Sequence, residues 1–204
     1  MTKNRNLILL VLMASISGCA LPAYSLVSVG PNEIEDMQDQ AGGGWNRAPV
    51  AFTPNAHDGA QTWTQDGPLL DRLVFIPGVP DGEALLTVDD DSAALPVFRK
   101  DMLPNELEEL MESTIVKLFG EGNAAVNTSN LRPQMFGDNR GVMFDMQAKV
   151  IESPDYRGTV GAFIANDELY LMFYLAAEPY YYGKHESAAT AIIESAQMVA
   201  AASG

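Results

Sequence analysis

An alternating run of apolar and polar side chains between Val142 and Val150 limits the fold more than any other part of the chain. A period of two is typical of a β-strand with one buried face and one wetter face. Two strand-like runs follow, Tyr156–Ala165 and Leu169–Ala176, and the Asn166-Asp167 pair between them suits a tight turn. The second half of the chain therefore predicts a three-strand antiparallel meander. Because Leu169–Ala176 is apolar on both faces, this strand is predicted inside the sheet and covered on both sides.

Two helices are predicted to pack on this sheet. The first begins at Asn105, which can cap it together with Glu108, and it ends at Gly120. Its apolar positions recur every three or four residues: Leu107, Leu110, Met111, Ile115 and Leu118. The second helix is predicted from about Glu186 to Ala202. One of its sides carries Ala188, Ala191, Ile192, Ser195 and Met198.

The first half of the chain predicts shorter elements. Asp66-Gly67 between two apolar runs indicates a hairpin. The predicted pieces are a strand at Leu26–Val29, a helical turn at Glu33–Gln40, a loop over Trp45–Ala60, hairpin strands at Thr62–Gln65 and Leu69–Ile76, and a short strand at Leu85–Val88. Together they predict an α+β fold: an antiparallel sheet, made of a hairpin and a three-strand meander, packed against a long mid-chain helix and a C-terminal helix.

The start of the chain has the pattern of an export signal. Lys3 and Arg5 precede the apolar run Leu7–Ile16, and small residues follow it. The apolar stretch is shorter than the roughly 20 residues that span a bilayer. Ile16-Ser17-Gly18-Cys19 resembles the lipobox of a bacterial lipoprotein, and Cys19 is the only cysteine in the sequence. An ordinary signal peptide needs no cysteine at the cut site.

The lipoprotein resemblance implies how the chain is divided and where it is located. It implies a signal peptide over residues 1–18, an acylated tether over residues 19–25 and a single α+β domain over residues 26–204. Several acyl chains on Cys19 would hold the domain at a bilayer, where one chain binds only weakly. Ala20 in place of an aspartate resembles the outer-membrane sorting pattern of Gram-negative lipoproteins. The expected location is therefore the outer membrane, with the domain facing the periplasm.

The charge of the chain narrows its partners. The formal net charge is −15, and removal of Lys3 and Arg5 with the leader makes it −17. A surface this acidic repels nucleic acid and anionic lipid head groups, so no nucleic-acid partner is expected. The acyl group, rather than the protein surface, is expected to make the membrane attachment. With a single cysteine, no intramolecular disulfide can form.

The order of elements, rather than a motif, carries a second resemblance. A hairpin, a long helix, a three-strand meander and a terminal helix over residues 60–200 resemble the PsbP/Mog-like superfamily, which includes photosystem accessory subunits and bacterial envelope lipoproteins. Other antiparallel sheets backed by helices, such as cystatin-like folds, give a similar order. The superfamily implies a non-catalytic accessory or assembly role and assigns no functional residue to this chain.

Residues for catalysis or metal binding are sparse. His57 and His185 are the only histidines, and no Gly-x-Ser-x-Gly sequence is present. His57 is expected in a surface turn and His185 at the exposed start of the last helix. Asp89-Asp90-Asp91 lacks the spacing of a calcium loop and is expected to be a solvated acidic loop. No catalytic residue, metal site or cofactor is predicted.

Three adjacent tyrosines, Tyr180, Tyr181 and Tyr182, form the candidate binding cluster. All three cannot face one core, so at least one is expected to reach solvent or a groove, where aromatic side chains often bind partners. The alternative is that two are packed and one caps the sheet edge through its hydroxyl. Trp45 and Trp63 are expected to lie in the core or to anchor loops.

The leading hypothesis from the sequence is a non-catalytic, lipid-anchored envelope protein that binds a protein partner or a small ligand. The alternative is an envelope hydrolase whose catalytic residues come from distant loops. A structural spacer is a third possibility.

Overall fold

The computed structural model describes residues 23–53, 56–87, 95–120 and 122–199. The predicted leader, Cys19, Val88 and the acidic run Asp89–Asp91 lie outside the described residues. Within the described ranges, no helix has both the length and the apolar character needed to cross a membrane.

The elements form two antiparallel sheets and two α-helices. The strands are β1 (Ser25–Leu26), β2 (Gly30–Ile34), β3 (Met37–Ala41), β4 (Asn46–Arg47), β5 (Gln61–Thr64), β6 (Asp71–Val79), β7 (Ala124–Phe136), β8 (Asn139–Val150), β9 (Tyr156–Ala165), β10 (Glu168–Ala177) and β11 (Gln197–Met198). The helices are α1 (Pro104–Phe119) and α2 (Tyr181–Glu194), with a 3-10 turn at Val50–Phe52. The large sheet has the order β1-β4-β5-β6-β10-β9-β8-β7, and the small sheet has the order β11-β3-β2.

The large sheet has an apolar core on each face. Met172 and Tyr174 of β10 enter one core, which is shared with α2 and the small sheet. Leu171 and Phe173 enter the other, which is shared with α1. The prediction that this strand lies inside the sheet and is covered on both sides is confirmed. The predicted α+β class, with a mid-chain and a C-terminal helix on an antiparallel sheet, is also confirmed.

The predicted meander is confirmed as β8, β9 and β10, and β7 extends it by one strand. In β8 the predicted apolar face is inward, and Met143 is buried as well. β7 is the outermost strand and pairs only with β8 within the described part of the sheet. Its register shifts between Ser129 and Arg132, and Pro133 follows within the strand.

Helix α1 begins one residue before the predicted capping residue. Pro104 occupies the first turn, where its missing N–H costs nothing. Glu106, rather than Glu108, caps the helix, because its carboxylate accepts a 2.6 Å hydrogen bond from the Leu103 N–H. Gly120 ends the helix as predicted, with a φ of 84°. The helix packs mainly against β7, where Glu112 accepts hydrogen bonds from the backbone and side chain of Thr128.

The helical turn predicted at Glu33–Gln40 is wrong. This segment forms the hairpin of β2 and β3, with Glu35 at its turn in the left-handed conformation (φ 53°). Ile34 and Met37 are three residues apart, which suggests a helix. Met37, Asp39 and Ala41 show the period of two that the structure adopts, and all three are buried.

The second helix is displaced from its predicted bounds of Glu186–Ala202. α2 starts at Tyr181 and ends at Glu194, and the chain then forms β11 against β3. Ser195 ends the helix: its hydroxyl donates to the Ile192 carbonyl at 2.7 Å and accepts from the Gln40 N–H at 2.9 Å. The buried side of α2 is Tyr182, Ala189, Ile192 and Ile193. Of the predicted stripe, Ala188 and Ala191 are exposed.

The remaining predictions from the first half are partly confirmed. The hairpin strands at Thr62–Gln65 and Leu69–Ile76 correspond to β5 and β6. The strand predicted at Leu26–Val29 is shorter and earlier, as β1, and the predicted loop at Trp45–Ala60 contains β4 and the 3-10 turn. Residues 85–87 of the predicted strand at Leu85–Val88 form no strand, although the preceding Ala84 makes an isolated bridge to Val97.

Candidate functional site

The structure separates the three consecutive tyrosines. Tyr180 exposes 65% of its surface, Tyr181 is half-buried and Tyr182 exposes 4%. The Tyr180 and Tyr181 rings meet edge to face with centroids 5.2 Å apart. Tyr180 is therefore the member of the cluster that is available to a partner. The partner-binding role of the cluster stays a prediction.

Tyr182 has a structural position at the start of α2. Its hydroxyl lies 2.9 Å from the Thr159 hydroxyl and donates to a Glu186 carboxylate oxygen at 3.0 Å. The Arg157 guanidinium stands 5.0 Å from its ring centroid. Burial raises the pKa of Tyr182 to about 12, so its phenol stays neutral at physiological pH. These contacts hold α2 against β9.

His185 binds a carboxylate at the β5–β6 turn. Asp66 accepts hydrogen bonds from the Lys184 ammonium and from His185 Nε2, each at 2.7 Å. The hydrogen bond from Lys184 lowers the pKa of Asp66. The trio ties the first turn of α2 to the turn after β5. Its geometry is that of an ion-pair cluster.

His57 lies elsewhere, with its Nε2 atom 2.8 Å from the Ala84 carbonyl and its Nδ1 atom 3.5 Å from the Glu83 carboxylate. Neither histidine has a serine among its hydrogen-bond partners in the described ranges. Those ranges also contain no group of three or more histidine, cysteine, aspartate or glutamate side chains placed to hold a metal ion. The two histidines therefore lie in separate clusters, each with its own partners.

A cavity of about 360 Å³ lies between α1 and the large sheet. Because α1 packs mainly on β7 and β8, a gap remains above the neighbouring part of β6 and β10. The strands line the gap with Ile76, Ala148 and Leu171, and α1 lines it with Met111 and Ile115. The volume falls at the lower end of the roughly 300–1,000 Å³ that small-molecule sites occupy.

The mouth of the cavity is also apolar. Leu69, Leu118 and Phe119 line it, and Leu69 exposes 69% of its surface. Leu118 belongs to the predicted apolar stripe of α1, but it lies at this opening rather than in the core. Exposed apolar side chains that surround an opening are typical of a ligand site.

Arg72 is the charged side chain of the cavity lining. Its Nε atom is buried and has no hydrogen-bond partner among the described residues. Its guanidinium carbon stands 5.7 Å from the centre of the Tyr156 ring, which is also part of the lining. Burial lowers the pKa of Arg72, although an arginine remains charged at neutral pH. The cavity thus combines apolar walls with one positive charge.

Comparison with known proteins identifies the fold. Neither a protein-family model nor a curated protein sequence matches this chain. A similar solved structure is the solution structure of cyanobacterial PsbP (CyanoP) from Synechocystis sp. PCC 6803, with a TM-score of 0.57 and 11% sequence identity. The match covers 91% of this chain and 98% of the other. The chain has a PsbP-like fold.

In this PsbP-like domain, the sequence reasoning missed the cavity and its arginine. One signal was present: Arg72 interrupts the apolar strand β6 on the side shared by Val74 and Ile76. A charged residue on the buried side of a strand requires a compensating partner or a function. The position of α1, which creates the cavity, was not visible in the sequence of β6.

Proposed function

We propose that this protein is a non-catalytic, lipid-anchored binding protein of the bacterial envelope, held at the outer membrane on its periplasmic side through acyl chains on Cys19. The cavity under α1 is its ligand site. The single observation that carries the proposal is the apolar cavity with an apolar, exposed mouth. The apolar walls favour small-molecule binding, because binding removes apolar surface of both the protein and the ligand from contact with water.

The anchor part of the proposal is supported by the sequence and by covalent geometry. The lipobox ends at Cys19, five residues before Tyr24. Five residues reach at most about 18 Å, so the domain would stay close to the bilayer. Tyr24, Leu26 and Phe52 are exposed near this end, and the Tyr24 and Phe52 rings stack with centroids 6.3 Å apart.

The non-catalytic part is supported by the PsbP-like fold, since the superfamily resemblance implies accessory or assembly roles. The rival hydrolase hypothesis gains no specific support. His185 is bonded to Asp66 in an ion-pair cluster, and His57 is bonded to a backbone carbonyl.

Filling the cavity tests the proposal. Ala148 lines the cavity and is buried, whereas Ala125 is exposed on β7, so Ala148→Phe and Ala125→Phe form a matched pair. The mature chain with Cys19→Ala carries no acyl chains to compete for the site. It is expected to bind the uncharged fluorescent probe N-phenyl-1-naphthylamine with a blue shift, and Ala148→Phe is expected to weaken binding by about tenfold or more.

Ala125→Phe should bind the probe like the parent chain. Thermal unfolding followed by circular dichroism establishes that both variants are folded, and Ala148→Leu serves if the phenylalanine does not fit. Failure of the parent chain to take up the probe, or equal uptake by the cavity-filled variant, contradicts the proposal. Turnover of an ester or peptide substrate that is lost with His185→Ala would favour the hydrolase instead.

A further inference from the structure

We propose that the cavity binds one aliphatic monoanion, with its carboxylate paired to Arg72 and its tail against the apolar walls. This inference rests on the proposed ligand-binding function and adds the chemical class of the ligand: a medium-chain fatty carboxylate.

The charge of the site favours an anionic ligand. Arg72 is the charged side chain in the lining; it is half-buried, and its buried Nε atom has no hydrogen-bond partner among the described residues. A guanidinium that loses part of its hydration without an ion-pair partner is unfavourable, and the nearby Tyr156 ring compensates only part of that loss. A bound carboxylate supplies that contact, because the planar guanidinium matches two carboxylate oxygens.

The walls of the cavity favour an aliphatic tail. The cavity volume of about 360 Å³ exceeds the roughly 150 Å³ of a cavity that admits benzene. The lining is mostly hydrocarbon, with Leu171 and Phe173 on β10 and Ile115 on the facing side of α1. A flexible aliphatic tail fills such a space without polar groups that need partners. The exposed mouth at Leu69 and Leu118 provides an apolar entrance for the tail.

The number of charges in the site favours a ligand with a single negative charge. The lining described here offers one cation, and the chain as a whole has a net charge of −15. A single guanidinium neutralises one negative charge, and the surrounding acidic protein disfavours a second. A carboxylate is therefore preferred over a phosphate monoester, which carries close to two negative charges at neutral pH.

Calorimetry on the mature Cys19→Ala chain at neutral pH tests this class. Decanoate and decyl phosphate are titrated below their micelle-forming concentrations, and decanol below its solubility limit. The parent chain is expected to bind decanoate about tenfold or more tightly than decanol. Arg72→Met is expected to remove that preference while decanol binding stays within about twofold, and Arg72→Lys should keep part of it.

Arg157→Met is the matched control, because Arg157 lies against Tyr182 on the opposite face of the sheet. Its decanoate preference should equal that of the parent. Equal binding of decanoate and decanol by the parent, an unchanged preference in Arg72→Met, or tighter binding of decyl phosphate overturns this inference while the ligand-binding function stands. Absence of binding by all three ligands, together with probe uptake that is insensitive to Ala148→Phe, contradicts both.

Melting temperatures separate ligand recognition from a structural role for the arginine. Arg72→Met removes a half-buried charge whose Nε atom has no hydrogen-bond partner among the described residues, so the unliganded variant should melt at or above the temperature of the parent. Decanoate should then raise the melting temperature of the parent more than that of the variant. A large drop in the melting temperature of unliganded Arg72→Met shows that the arginine stabilises the fold and overturns the ligand assignment.

Discussion

Two buried aspartates show how their surroundings decide what a carboxylate does. Asp71 accepts hydrogen bonds from the Thr64 hydroxyl and from the Gln65 and Asp66 backbone N–H groups, at 2.7–2.9 Å, and so shapes the turn after β5. Asp39 in β3 is 1% exposed, and neither of its carboxylate oxygens has a partner among the described residues. Burial raises the pKa of Asp39 to about 7 from 3.8. Asp39 therefore gives the small sheet a pH-dependent weak point.

The pH dependence of stability follows from the sign of that shift. The folded protein holds the Asp39 proton up to about pH 7, whereas the unfolded chain releases it near 3.8. Between these values the folded state binds more protons, so the free energy of unfolding falls as pH rises through this window. Asp39→Asn is expected to flatten this fall and to stabilise the protein above pH 7 by about 2–4 kcal/mol. Urea unfolding at pH 5 and pH 8 measures both effects.

Asp138→Asn is the control for that experiment, since Asp138 is exposed on the turn between β7 and β8. Its unfolding curves should follow those of the parent at both pH values. An equal pH dependence in the parent and in Asp39→Asn would show that Asp39 is ionised or solvated in the folded state.

At the scale of the elements, α2 approaches the sheet closely because β9 has a glycine beneath it. A Cβ atom at Gly161 would overlap the Ile193 side chain and lie 3.1 Å from the Phe136 ring. Gly183, near the start of α2, has open space around its Cα atom. The same substitution at these two positions therefore has opposite effects.

Gly161→Ala is expected to destabilise the protein by roughly 1–3 kcal/mol, because α2 must move or Ile193 must change rotamer. Gly183→Ala is expected to be neutral or to stabilise it by up to about 0.5 kcal/mol, because alanine favours the helix. Chemical denaturation measures both. A Gly161→Ala variant as stable as the parent would mean that α2 does not hold this close position.

Elements with strong local patterns could be predicted from the sequence, and those that depend on distant partners could not. β8, β9, β10 and the end of α1 follow from periodicity and glycine. β7 escaped because most of its side chains are exposed or half-buried, which leaves no apolar period. The small sheet escaped because β3 gains β11 from the far end of the chain. The cavity could not be predicted for the same reason, because it depends on where α1 packs on the sheet.

On the scale of the whole molecule, the acidic surface and the proposed acyl chains on Cys19 would have opposite effects on membrane attachment. The chain carries 27 acidic residues against 12 lysines and arginines, so its surface is repelled by anionic head groups. Attachment would then depend on the acyl chains alone and would be insensitive to salt. Cys19 itself lies outside the described residues.

Cys19→Ala is expected to abolish acylation and to move the protein from the membrane pellet to the soluble fraction, while the parent stays in the pellet at high salt. Ala20→Asp is the matched comparison: it should remain acylated and shift from the outer-membrane to the inner-membrane fraction. Cell fractionation and mass spectrometry of the N-terminal peptide measure both. Retention of unmodified Cys19→Ala protein in the pellet would contradict the anchor.

The irregular edge strand β7 has a further consequence if the protein is anchored at a membrane, as proposed. A regular edge strand presents unpaired backbone N–H and C=O groups, which can pair with a strand of another copy and start aggregation. In β7, Asn130 takes a left-handed conformation (φ 57°) at the register shift, and Pro133 has no backbone N–H to donate to a strand of a second molecule. Molecules anchored at high density on one membrane surface, as proposed, would therefore not be expected to polymerise through β7.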